Sequence, residues 1–158
     1  MTRNPFITFI IPCYDVEDYV AQTLDSILNQ TVKKVDGFDL PFEIVCVNDG
    51  SNDGTLAVLQ QYAAAHNFIT VISQENGGLS AARNTGFQHS RGKYTCFLDS
   101  DDWIANTFVE EISLNDLNHT GDRGGCLVKV KQVPQSALQV ADSIALRPQR
   151  AECRRWIR

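Results

Sequence analysis

The residues with the clearest chemical potential are three carboxylates, Asp99, Asp101 and Asp102, which lie within four residues of one another. The preceding residues 94–98 are uncharged and mostly β-branched, aromatic or apolar, which is typical of a buried strand. Like charges this close repel, so their ionisation requires a cation or a fixed set of donors nearby. A hard divalent ion such as Mg²⁺ or Mn²⁺ would satisfy them, because it prefers oxygen ligands and leaves positions open for phosphate. Alternatively, the acids merely cap a following helix, whose start favours carboxylates, or face water.

The composition predicts one folded domain with a packed core. The chain has 158 residues, of which 43% are hydrophobic, and its apolar runs are far shorter than the ~20 residues of a membrane helix. Its five cysteines form no CxxC pair. Cys13, Cys46 and Cys96 lie in or beside apolar segments, which indicates buried structural thiols and a cytoplasmic, reducing location.

Charge is distributed unevenly along the chain. Residues 1–115 carry 6 Lys and Arg against 15 Asp and Glu, whereas residues 116–158 carry 8 against 4. The acidic part argues against a nucleic-acid partner. The basic tail could contact phosphates or lipid headgroups, so peripheral association with the inner face of a membrane is a further expectation.

Alternating apolar patterns predict an α/β fold up to about residue 112. The predicted strands are residues 6–11, 42–47, 68–72 and 94–98, and the predicted helices are residues 16–28, 56–63 (opened by residues 51–54) and 79–89. This alternation predicts a mostly parallel sheet with flanking helices. Because ligands bind beyond the carboxyl ends of such strands, three polar turns should share one edge: residues 12–15, 48–51 and 99–102.

The side chains in and near these turns would suit a nucleotide. Tyr14 could stack on a base, although an ordinary half-buried aromatic residue is equally compatible with the pattern. Asp49 could accept hydrogen bonds from ribose hydroxyls or a base N–H, or could simply be a turn residue beside Gly50. Arg83 follows a glycine pair and small residues, so it could reach a base or phosphate; alone, it would be read as a surface residue.

Four segments occur in order along the chain: IIPCYD at 10–15, VNDGSNDGT at 47–55, GGLSAARN at 77–84 and FLDSDDW at 97–103. Together they closely resemble the nucleotide-sugar half of the family-2 inverting glycosyltransferases over about residues 5–112. The resemblance implies a Rossmann-like GT-A fold. It also implies transfer of a sugar from a nucleotide diphosphate sugar, with UDP expected, to a glycan, lipid or protein hydroxyl.

The resemblance implies a set of donor-binding residues. Pro12 and Tyr14 would line the base pocket, and Asp49 would hold the base or ribose. Asn76 and Arg83 would complete the nucleotide contacts.

The same resemblance assigns roles in the acidic turn. Asp101 would ligate a divalent metal, Mn²⁺ or Mg²⁺, and Asp99 would contact the ribose and sugar side or the metal through water. Asp102 is a weaker candidate. A metal bridging the diphosphate would neutralise charge on the leaving group. In this family a carboxylate deprotonates the acceptor hydroxyl, which attacks the anomeric carbon in line.

The family pattern is not recognisable after residue 112. Asp116, Asp122, Asp142 and Glu152 are the later acids, and none lies in a context that matches the family's catalytic base. The catalytic base is therefore assigned to no residue, and the acceptor half is expected to be incomplete. The predicted organisation is a nucleotide-sugar-binding GT-A domain over residues 1–115 and an atypical tail over 116–158, truncated or frame-disrupted, with a weak strand at 127–133 and a short helix at 137–145.

Other functions remain as alternatives. The main alternative is a domain that binds nucleotide and metal without efficient transfer, since the catalytic base and the acceptor groove are not recognisable. A phosphohydrolase with Asp99 as nucleophile and Asp101 as acid/base is disfavoured, because the acidic strand comes fourth and the expected Thr and Lys elements are missing. A dehydrogenase is disfavoured because no GxGxxG follows the first strand.

Overall fold

The structure is a computed structural model that describes residues 5–118 and 127–129. Strands and helices alternate in the order β1 (Pro5–Cys13), α1 (Val20–Leu28), β2 (Leu40–Asp49), α2 (Thr55–Ala65), β3 (Ile69–Gln74), α3 (Leu79–Gln88), β4 (Tyr94–Phe97), α4 (Phe108–Asn118) and β5 (Leu127–Lys129). All four strands and three helices predicted up to residue 112 are present. The largest displacement of an end is in α1, which begins at Val20 because residues 16–19 form turns.

The described strands form one sheet in the order β3-β2-β1-β4-β5. β1 pairs in parallel with β2 and β4, and β2 pairs in parallel with β3. Only β5, which pairs with β4, runs antiparallel within this part of the chain. The predicted α/β fold with a mostly parallel sheet is confirmed.

The core explains why the strand sequences are continuously apolar. All nine residues of β1 are buried, because helices cover both faces of the central strands. The larger cluster includes Phe9 and Ile44, and Val45 and Val47 pack with Ala82 of α3 on the other side. Among the described residues, no helix has the length and apolar character needed to cross a membrane.

A buried carboxylate connects the amino ends of three strands. Glu43 is 1% exposed and accepts hydrogen bonds from Thr8 Oγ1 at 2.7 Å and from the Arg91 backbone N–H at 2.7 Å. The Arg91 guanidinium also donates to Glu43 through Nε at 2.9 Å. The Gly92 N–H donates to Thr8 Oγ1 at 2.8 Å, so the connection from α3 to β4 is tied to β1 and β2.

Helix α4 and strand β5 follow the acidic turn, although the family pattern is not recognisable in the sequence after residue 112. Helix α4 is held by the core: Val109 is fully buried, and its N–H donates to Gln30 Oε1 at 2.9 Å. This helix was not predicted from the sequence, although five of its eleven residues are apolar: Phe108, Val109, Ile112, Leu114 and Leu117. Strand β5 lies inside the predicted strand at 127–133, whereas the predicted helix at 137–145 falls outside the described residues.

Candidate binding site at the carboxyl ends of the strands

A cavity of about 460 Å³ opens at the carboxyl ends of β1, β2 and β4 and the start of α3. The three polar turns predicted to share an edge all contribute to it. Its lining residues are Pro12, Cys13, Tyr14, Val16, Asp49, Asn76, Gly78, Leu79, Ala82, Asp99, Ser100 and Asp101. Six of the seven predicted site residues are therefore brought together here, and the seventh, Arg83, adjoins the cavity through an ion pair with Asp99.

One wall of the cavity is formed by the end of β1 and the loop that follows it. Pro12 is buried, whereas Tyr14 is 48% exposed, which leaves aromatic surface available to a ligand. Cys13 also lines the cavity, but burial raises the pKa of its thiol to about 12. Since the thiolate is the reactive form, Cys13 is not a nucleophile at neutral pH.

Asp49 is buried, and its carboxylate organises the loop before α3. Oδ1 accepts hydrogen bonds from Gln74 Nε2 at 2.7 Å and the Gly77 N–H at 2.9 Å, and Oδ2 accepts the Gly78 N–H at 2.8 Å. From the sequence, Asp49 was expected either to contact a ligand or to be a turn residue beside Gly50, and these three internal donors were not predicted. A carboxylate has about four acceptor sites, so Oδ2 retains capacity for one further donor.

The loop that carries Asn76 approaches the turn after β2 closely. Gly50 has a φ of +74°, and a Cβ at this position would lie 2.8 Å from the Asn76 backbone nitrogen. Asn76 Oδ1 in turn accepts the Gly78 N–H at 3.2 Å. Glycine at position 50 is thus required both by its left-handed backbone and by the space beside it.

Arg83 connects α3 to the acidic turn. Its guanidinium donates to Asp99 Oδ1 at 2.8 Å, and both side chains are partly exposed. An ion pair this open contributes little to stability, but it orients the Asp99 carboxylate toward the cavity edge. Arg83 Nε is buried and has no hydrogen-bond partner among the described residues.

The acidic turn itself does not cap a helix. Helix α4 begins at Phe108, and the acids of its first turn are Glu110 and Glu111, so the capping alternative for the carboxylates at 99–102 is wrong. The turn is instead anchored by Thr23 Oγ1, which donates to the Ser100 carbonyl at 2.8 Å.

The three acids of this turn differ in their surroundings. Burial and the charges of Asp101 and Asp99 raise the pKa of Asp102, which does not line the cavity. Asp101 is exposed within the cavity lining. Among the described residues, no three His, Cys, Asp or Glu side chains are grouped to hold a metal. Two carboxylates nevertheless fit an ion that also binds substrate phosphates, because Mg²⁺ commonly takes one or two protein carboxylates in such sites.

An open, mostly parallel sheet with a cavity of about 460 Å³ beyond its carboxyl edge defines the class of α/β ligand-binding domains. Residues 8–115 match the family described as glycosyl transferase family 2. The chain belongs to this family, as the sequence resemblance implied.

A curated relative agrees with this assignment. The chain is 43% identical over 116 residues to glycosyltransferase GlyA of Streptococcus pneumoniae, a match that covers 73% of the chain and 16% of GlyA. The chain therefore spans about a sixth of the length of this relative.

Two solved structures share the architecture. S. aureus TarS 1–349 in complex with UDP-GlcNAc matches with a TM-score of 0.66 and 30% identity, covering 83% of the chain and 37% of TarS 1–349. The mannosyltransferase PcManGT from Pyrobaculum calidifontis, in complex with GDP-Man and Mn²⁺, matches with a TM-score of 0.58 and 27% identity. This match covers 71% of the chain and 32% of PcManGT. The predicted GT-A fold is confirmed by these glycosyltransferase neighbours.

Proposed function

We propose that this chain forms the donor-binding part of an enzyme that transfers a sugar, with inversion, from a nucleotide diphosphate sugar to a hydroxyl of a glycan, lipid or protein. The main observation that supports this proposal is the cavity. It combines the exposed aromatic ring of Tyr14, the buried carboxylate of Asp49, which has spare acceptor capacity, and the exposed carboxylates of Asp99 and Asp101. These groups suit a base, a ribose and a metal-bound diphosphate, respectively.

The base end of the cavity favours uridine in this proposal. Tyr14 and Pro12 would flank the base, and Asp49 Oδ2 would accept one N–H from it. Uracil offers an N–H at its Watson–Crick edge, whereas cytosine offers an acceptor at the corresponding ring position. Asn76 lines the same cavity and would complete the nucleotide contacts. The complex of TarS with UDP-GlcNAc supports this choice of donor.

The diphosphate end carries the proposed metal ligands. Asp101 would bind Mn²⁺ or Mg²⁺ directly, and Asp99 would bind it through water or hold the ribose and sugar side. When bound, the metal would neutralise negative charge on the departing diphosphate. Arg83 would hold Asp99 in position and would complete the nucleotide contacts with its guanidinium. The presence of Mn²⁺ and GDP-Man in PcManGT supports a metal at this end.

A second candidate is a domain that binds nucleotide and metal without efficient transfer. The cavity carboxylates in the described part of the chain are Asp49, Asp99 and Asp101, and all three are assigned to the donor. None of these is left to deprotonate an acceptor hydroxyl. Of the later acids, Asp116 lies in α4, and Asp122, Asp142 and Glu152 fall outside the described residues.

We also propose a cytoplasmic location. Cys13 and Cys46 are free and buried, which suits a reducing compartment. Peripheral association with a membrane would rest on the basic residues of 116–158, nearly all of which lie outside the described residues.

Calorimetric titration of the purified chain with UDP, GDP, CDP and dTDP, with and without Mn²⁺, tests the proposal. We expect UDP to bind most tightly and Mn²⁺ to strengthen it by at least about tenfold, because the metal links the carboxylates to the diphosphate. Hydrolysis of UDP-GlcNAc, measured in parallel, separates the two candidates. Metal-dependent binding with turnover supports the transferase, and binding without turnover supports the second candidate. The lack of any nucleotide binding in the presence of Mn²⁺ would contradict both.

A further inference from the structure

Two segments outside the sheet are joined by a reciprocal set of hydrogen bonds. We call residues 14–19, which follow β1, the first loop, and residues 51–55, which lead into α2, the second segment; together they form the clasp. Asp15 Oδ1 accepts the Asn52 N–H at 2.7 Å, and the Asp15 N–H donates to Ser51 Oγ at 3.1 Å. Bonds therefore run in both directions between the two segments.

The clasp continues along the first loop. The Val16 N–H donates to Thr55 Oγ1 at 2.8 Å, and the Glu17 N–H donates to Asp53 Oδ2 at 3.1 Å. Glu17 Oε2 in turn accepts the Gly54 N–H. A Cβ at position 54 would collide with that oxygen, so the contact depends on glycine there.

The first loop also forms one wall of the cavity, through Tyr14 and Val16. Tyr14 is half exposed, so neighbouring side chains enclose it only in part and its position depends strongly on its backbone. That backbone turns sharply at Asp15, whose φ of +48° is the only positive value at a non-glycine residue in the described part of the chain. Asp is among the few residues that tolerate this conformation, and its carboxylate anchors it.

We propose that Asp15 and Glu17 are positioning residues for the donor: through the clasp they hold the Tyr14 wall where a base can stack on it. The proposal rests on the proposed function, because it takes the cavity to be the nucleotide site. Neither carboxylate lines the cavity, so they act on nucleotide affinity without contacting the nucleotide. The carboxylates accept backbone N–H groups that the second segment would otherwise present to water.

Asp15→Gly with Asp15→Asn as its matched control tests the proposal. Glycine accepts a positive φ but removes the acceptor, whereas asparagine tolerates the same φ and retains a side-chain oxygen. In titrations of the full chain with UDP and Mn²⁺, we expect Asp15→Gly to weaken binding by about tenfold and Asp15→Asn by no more than about threefold. Melting temperatures of both variants report any general loss of fold.

A double-mutant cycle with Tyr14→Ala distinguishes positioning from a merely structural role. If Asp15 acts through Tyr14, Asp15→Gly will change UDP affinity by less than about twofold in the Tyr14→Ala background. Equal losses in both backgrounds would overturn the proposal, and so would unchanged binding by Asp15→Gly or an equal loss in Asp15→Asn. Wild-type protein that fails to bind UDP would instead overturn the proposed function, and this inference with it.

Glu17 offers a second variant if Asp15→Gly does not fold. Glu17→Ala removes the acceptor of the Gly54 N–H at an exposed position with ordinary backbone geometry. We expect UDP affinity to fall by about three- to tenfold in wild type, and to change little once Tyr14 is alanine. Unchanged affinity in a folded Glu17→Ala protein would contradict the clasp as a determinant of binding.

Discussion

Asp99 and Asp101 lie two residues apart in one turn, yet their surroundings give them different capacities to bind a cation. Asp99 is paired with Arg83 at 2.8 Å, so part of its charge is already compensated by the protein. Asp101 is exposed in the cavity lining, with Asp102 next to it. Burial, and then the neighbouring charges of Asp101 and Asp99, raise the pKa of Asp102, which does not line the cavity. A cation arriving at this turn would therefore be held most strongly by Asp101.

The variant Asp101→Asn tests that conclusion. We expect it to abolish the Mn²⁺-dependent increase in UDP affinity and to leave the melting temperature within about 2 °C of wild type, because the side chain is exposed. Calorimetric titration with and without Mn²⁺ measures the first effect. Asp36→Asn, which removes the same charge from an exposed residue away from both the cavity and the clasp, is the control. A metal effect of wild-type size in Asp101→Asn would exclude Asp101 as the metal ligand.

At the scale of elements, the two ends of the sheet have different roles: the carboxyl ends form the cavity, and the amino ends contribute to stability. The carboxyl ends form the cavity, whereas at the amino ends Glu43 fastens the connection between α3 and β4 to the central strands. The carboxylate is buried, and its partner Arg91 is about half exposed. A buried acceptor that satisfies several donors stabilises mainly because its loss leaves those donors unpaired. We therefore expect substitutions here to change stability and leave ligand binding intact.

Glu43→Gln should lower the free energy of unfolding by about 1–3 kcal/mol. The amide retains one oxygen for Thr8 Oγ1 and the Arg91 N–H, but its NH₂ group then faces the Arg91 guanidinium, which is also a donor. Urea denaturation measures the change, and Glu75→Gln at an exposed site is the control. A loss of UDP affinity greater than about threefold in folded Glu43→Gln would contradict the separation of the two sheet ends.

At the scale of the whole molecule, the apolar core contains thiols that folding keeps protonated. Cys13, Cys46 and Cys96 are buried, and burial raises the pKa of Cys13 to about 12 and that of Cys46 well above its usual value of 9.0. In the unfolded chain the thiols of Cys13 and Cys46 regain pKa values near 9.0. Above that pH the unfolded state binds fewer protons than the folded state, so the free energy of unfolding falls as pH rises.

The pH dependence of stability should therefore be shallower in Cys13→Ala. Between pH 9 and the folded pKa of about 12, the Cys13 thiol contributes a decline of up to about 1.4 kcal/mol per pH unit to wild type, which the variant lacks. Urea denaturation under reducing conditions at several pH values in this window measures both slopes. The variant has a lower stability at neutral pH, where a cavity replaces the sulfur, but that offset does not alter the comparison of slopes. Identical slopes would show that Cys13 has the same pKa in both states.

The sequence by itself determined the elements and the edge at which the site forms. Apolar runs such as residues 6–11 predict buried strands, because a parallel strand that is covered on both faces carries apolar side chains on both sides. The alternation of strands and helices then places the polar turns at one edge of the sheet. Helix α4 was not predicted, and its place depends on a contact with the distant Gln30 that no local pattern shows.

Only the tertiary structure decided which groups the site residues contact. Asp49 was predicted to hold a ligand, but it also binds Gly77 and Gly78, and Asp99 is paired with Arg83. Asp15 and Asn52 are 37 residues apart in the chain, and nothing in either local pattern indicates their bond. Such contacts arise because the sheet brings separate loops to one edge, where burial and geometry select the partners.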